Sequence, residues 1–151
     1  MIQDLLAKDV KISNVEIIKD EITDEETNTR RVFGRFVRDK MVYSFLNART
    51  NKFNYISIRF QFIYTLKTKK VIRNEILELV NSANKSIPAV KIYLNDINGK
   101  SIKINFNVEI PYVREETLNF LVPSAIDVVS FAPFLFSSKL ESKGFEHQTI
   151  S

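Results

Sequence analysis

The sequence predicts an α+β domain: an antiparallel sheet of five to six strands with helices packed on one face. Three observations carry that expectation. Tyr55-Ile-Ser-Ile-Arg-Phe-Gln-Phe-Ile-Tyr64 alternates strictly, with Ile56, Ile58, Phe60, Phe62 and Tyr64 on one side and Ser57, Arg59 and Gln61 on the other. Ser101 to Ile110 repeats the pattern, setting Ile102, Ile104, Phe106, Val108 and Ile110 against Ser101, Lys103, Asn105, Asn107 and Glu109. Between these runs the apolar spacing changes to i, i+4, i+7, i+8 and i+11 through Ile72, Ile76, Leu79, Val80 and Ala83, which is one stripe of a helix. A period of two with one apolar and one wet face marks a sheet covered on a single side, and the helix supplies the cover.

The remaining elements follow in order. Ile2, Leu5 and Leu6 suit a short amphipathic helix over residues 1–9, one that needs tertiary packing to persist. Val15 to Ile22 reads as a first strand, and Asp24-Glu-Glu-Thr-Asn-Thr29 as a charged turn. Arg31 to Val37 and Met41 to Leu46 form strands joined around Arg38-Asp39-Lys40. The central helix spans about Lys69 to Ala83, with Glu75 and Glu78 outside, and stops before Pro88. Val90, Ile92 and Leu94 then pair with the strand from Lys100, around a turn at Asn98-Gly99 expected to be of type I′. A second helical region begins at Arg114-Glu-Glu-Thr and buries Leu118, Leu121, Val122, Ala125, Val129 and Ala132. Pro123 and Pro133 each remove an amide donor, so this region is expected to kink or divide. Residues 1–142 are read as a single domain and 143–151 as a C-terminal tail.

Composition narrows the chemistry. The chain has 151 residues, about one domain's length, with 12 Phe, 5 Tyr, no Trp and no Cys. Without cysteine, disulfides and thiolate chemistry are impossible. The one histidine, His147, lies near the end, and the three glycines are too scattered for a phosphate-binding loop. The N-terminus lacks the pattern of a signal peptide. No apolar run approaches the roughly 20 residues that span a bilayer, so the expectation is a cytoplasmic protein with no membrane partner. The net charge of +4 is unevenly spread: residues 1–29 carry −5, residues 30–103 carry +12, and residues 104–151 carry −3. A basic middle between acidic ends suits either a polyanion surface or a charged outer sheet face.

The run Ile76-Leu-Glu-Leu-Val-Asn-Ser-Ala-Asn84, followed by Val90-Lys-Ile-Tyr-Leu94 and Ile102-Lys-Ile-Asn-Phe106, resembles the YbjN-like bacterial family over roughly residues 40–140. That family is often labelled a sensory transduction regulator, and its fold is similar to that of type III secretion chaperones. The resemblance implies a type III secretion chaperone-like sheet with helices on one face, and protein partners; it transfers no catalytic motif. Residues 10–37 supply more strand than the family pattern requires.

Candidate sites follow from residue type. Phe131, Phe134 and Phe136 crowd around Pro133, and a broken helix would leave some of them outside, as a protein interface and homodimer contact. Arg31, Arg35 and Arg38, interleaved with Phe33 and Phe36, bring to mind sheet surfaces that bind RNA. Glu115 and Glu116 read as compensation for a helix dipole. No catalytic residue, metal site or cofactor is expected. The functional expectation is a non-enzymatic protein-binding module, chaperone-like or regulatory, with a protein partner of unknown identity. The alternative is a nucleic-acid-binding module using the basic 30–103 region.

Overall fold

The two alternating runs become the long strands of a sheet that extends further than they foretell. The computed structural model describes residues 2–67 and 70–150. In chain order these form α1 (Ile2–Ala7), β1 (Ile12–Asp24), β2 (Thr29–Arg38), β3 (Met41–Arg49), β4 (Asn54–Leu66), α2 (Arg73–Ser86), β5 (Lys91–Asn98), β6 (Ser101–Tyr112), α3 (Leu118–Ser142) and β7 (His147–Ile150). The architecture is α+β. The sheet is antiparallel and seven-stranded, in the order β1-β2-β3-β4-β6-β5, with β7 paired to β4. The seventh strand lies in the segment expected to be a tail: Gln148 pairs with Thr65 and His147 with Leu66. Contacts group the chain into two compact units, Met1–Arg59 with Glu109–Ile126 and Phe60–Val108 with Asp127–Ser151, so the unit boundaries fall inside β4, β6 and α3.

In the first unit, β2 and β3 are joined by a two-residue turn in which Asp39 and Lys40 both have positive φ, as a type I′ turn demands. Val32 and Phe36 of β2 and Tyr43 and Phe45 of β3 turn into the core, where Phe36 stacks on Tyr43 at 5.1 Å. Gly34 lies directly opposite Phe45. A Cβ there would fall 2.4 Å from the Phe45 ring and 2.6 Å from the Glu16 carbonyl oxygen, so the position admits only hydrogen. Buried Tyr112 donates to Asn47 Oδ1 at 2.6 Å, which satisfies the amide oxygen inside the core. β1 lies at the end of the strand order and contains three register irregularities. Asp20 accepts from Arg30 at 2.8 Å and Glu16 from Arg35 at 2.7 Å. Bulges and charges of this kind deter edge-to-edge pairing.

In the second unit, α2 begins at Arg73, and residue 69, where the sequence reading starts it, lies outside the described residues. Ile76, Leu79, Val80 and Ala83 are buried as the stripe requires, whereas Ile72 precedes the helix and is exposed. Asn84, in the last turn of the helix, links it to the next strand. Its side-chain amide donates to the Ile92 carbonyl at 2.6 Å and its oxygen accepts from the Ile92 amide at 2.7 Å, imitating a strand partner for the start of β5. The expected β5–β6 hairpin is present, with Asn98 opposite Ser101. Its turn is shifted by one residue: Gly99 and Lys100 occupy the centre and only Gly99 has positive φ, as in a type II′ turn, where glycine comes first. Asn105 and Asn107, expected to face water, are buried; Gln61 donates across to Asn105 at 2.9 Å.

Candidate interaction surface

The prolines do not divide α3. Leu118 to Ser142 is one helix of 25 residues. A proline inside a helix costs about 3 kcal/mol, while each large apolar side chain taken from water returns roughly 1.5–3 kcal/mol. Val122 and Ile126 are buried in the first unit, and Val129, Phe136 and Leu140 in the second. That burial outweighs two lost amide donors. The Pro133 carbonyl accepts an additional bond, from the Tyr64 hydroxyl at 2.7 Å, which ties α3 to β4. Burial pushes the Tyr64 phenol far above its ordinary range, so it remains a donor.

Continuity decides where the three phenylalanines go. Phe136 follows Val129 by seven residues and Ala132 by four, which places it on the buried stripe. It is fully buried, 5.4 Å from the Tyr64 ring and edge-on to Phe106 at 6.0 Å. Phe136 is therefore core, and the expectation that it belongs to an interface is corrected. Phe131 and Phe134 fall off the stripe and are 59% and 58% exposed, their rings 6.4 Å apart. Val128, one turn before Phe131, is also exposed. In the first unit's part of α3, Phe120 is 80% exposed and Leu121 is exposed rather than buried as expected. With apolar residues on its outside too, the helical stretch Glu115–Ser142 is long and apolar enough to cross a membrane by length and composition, contrary to the sequence reading. The core helix of a soluble protein passes the same test.

The arginines do not form one basic row. Arg31 and Arg35 share the outer face of β2, while Arg38 lies at its end on the same side as Val32, Gly34 and Phe36 and is half-buried. Arg35 is ion-paired with Glu16, and Arg31 lies opposite Glu21. Glu115 forms an ion pair with Arg49. Among the described residues no group of three His, Asp or Glu side chains could hold a metal ion.

Two features escape the sequence reading. His147 is held rather than loose: a carbonyl can only accept, so Nδ1–H donates to Phe145 O at 3.0 Å and Nε2 accepts from the Ser137 hydroxyl. This fastens β7 to α3. On the outer face of the first unit, Ile18, Phe33 and Leu46 line a groove of about 440 Å³ together with Lys19, Glu21 and Arg59. Its signal was present in the alternation, which puts Phe33 on the face of Arg31 and Arg35. Comparisons with protein-family models, curated proteins and solved structures found no match.

Proposed function

We propose that this chain is a non-enzymatic protein-binding module, chaperone-like or regulatory, acting in the cytoplasm through the outer surface of α3, with a second copy of the chain as one partner in a homodimer. The observation that carries the reading is the pair Phe131 and Phe134, more than half exposed side by side on one helix. Exposed aromatic clusters are costly in water and typical of interface centres. The likeness of the α2–β5–β6 sequence to the YbjN-like family, whose fold resembles type III secretion chaperones, points the same way. A photo-crosslinking benzoylphenylalanine in place of Phe134 is expected to capture a second copy or another protein, while the same group in place of exposed Glu75 on α2 captures neither. Equal labelling from both positions, or from neither, would refute it.

A second reading, nucleic-acid binding, is favoured by the +12 charge of residues 30–103. The acids facing Arg31 and Arg35 weaken it, since they offset the charge that phosphates would meet. Phosphate contacts would show as affinity that falls steeply with salt.

A further inference from the structure

We propose that the groove on the outer face of the first unit binds a small amphipathic anion: one carboxylate or sulfonate head on an aromatic or aliphatic body. Phe33 and Leu46 are directly opposed across β2 and β3, so their side chains lie together on the face that strand alternation assigns to water. Ile18 joins them because β1 slips register between Ile17 and Lys19, and it is left 62% exposed. These three make an apolar floor. The volume, about 440 Å³, lies within the range of small-molecule sites, which are mainly apolar with a few placed polar groups.

Charge selects the ligand. Lys19 is held by Glu21 at 2.6 Å, so that pair is nearly neutral from outside. Arg59 also lines the groove, and its guanidinium is a planar fork of five donors whose geometry matches a carboxylate or sulfonate. Glu16 and Glu21 stand beside Arg35 and Arg31, where a chain of phosphates would have to pass. A single anionic head over an apolar body meets Arg59 and, of these acids, only Glu21, which Lys19 offsets; a polyanion running along β2 would also meet Glu16.

The test is a fluorescence titration of the full chain with 1-anilinonaphthalene-8-sulfonate, an aromatic monoanion. Wild type is expected to bind it saturably at one site. Arg59→Gln, at an exposed position, should weaken binding about tenfold, the loss of one charge-assisted contact. Phe33→Ser should weaken it comparably, and the uncharged N-phenyl-1-naphthylamine should bind wild type and Arg59→Gln alike. The double variant Phe131→Ser, Phe134→Ser should bind the sulfonate as wild type does. Circular dichroism checks that each variant keeps its sheet. Absence of saturable binding, unchanged affinity in folded Arg59→Gln, binding that disappears with Phe131 and Phe134, or displacement by a single-stranded oligonucleotide would each overturn the proposal.

Discussion

Phe134 and Phe136 are two residues apart on one helix and have opposite fates. One is more than half in water and the other meets Tyr64 and Phe106 in the core. A similar division separates Phe33 from Gly34 on β2: the Phe33 side chain lies with Leu46 on the outer face, while Gly34 has the Phe45 ring against it on the inner one. In both places the inward residue is tightly constrained by packing and the outward one is left partly exposed. Inner positions should therefore govern stability, and outer positions association.

The largest effect belongs to Phe136→Ala. Removing a fully buried ring beside two others should cost about 3–5 kcal/mol, read as a lowered urea midpoint with little change in slope. A cost below about 1 kcal/mol would mean that the helix readjusts and that the inner face is less constrained than described. Gly34→Ala comes next. The new methyl meets a ring and, more seriously, the Glu16 backbone carbonyl, so about 1–3 kcal/mol is expected. If Gly34→Ala were neutral in the same urea experiment, β1 would have to shift freely from β2.

Much of this arrangement is legible in sequence and some is not. The runs 55–64 and 101–110 and the stripe of α2 could be read because each repeats its period several times. β7 could not: four residues carry too little alternation, and the strand depends on the reversal at Gly144, whose φ is +82°, and on the grip of Ser137 on His147. The prolines predict a break because a local rule about missing donors takes no account of the burial that opposes it. Only with such a break would Phe136 leave the buried stripe. Parity alone assigns Asn105 and Asn107 to water, but both are buried and Gln61 donates to Asn105.

The smallest expected effect is on the acid side. A hydrogen bond from Arg30 holds the Asp20 carboxyl below its ordinary value of 3.8. Since the folded-state value is depressed, the contribution to stability is present above that ordinary value and fades as pH falls through the folded-state one. Asp20→Asn should slightly flatten the drop in thermal midpoint between neutral pH and about pH 3, and the effect should shrink in salt because the pair is exposed. An unchanged slope would show that Arg30 makes no net contribution at this edge.

The most direct measurement is sedimentation of wild type and Phe134→Asp over a wide concentration range, each checked for fold by circular dichroism. Wild type is expected to pass from monomer to dimer as concentration rises, and Phe134→Asp to remain monomeric with its unfolding midpoint within about 0.5 kcal/mol of wild type, as for an exposed position. A wild type that stays monomeric throughout, or a folded Phe134→Asp that dimerises equally well, would contradict the assignment of α3's outer surface to self-association.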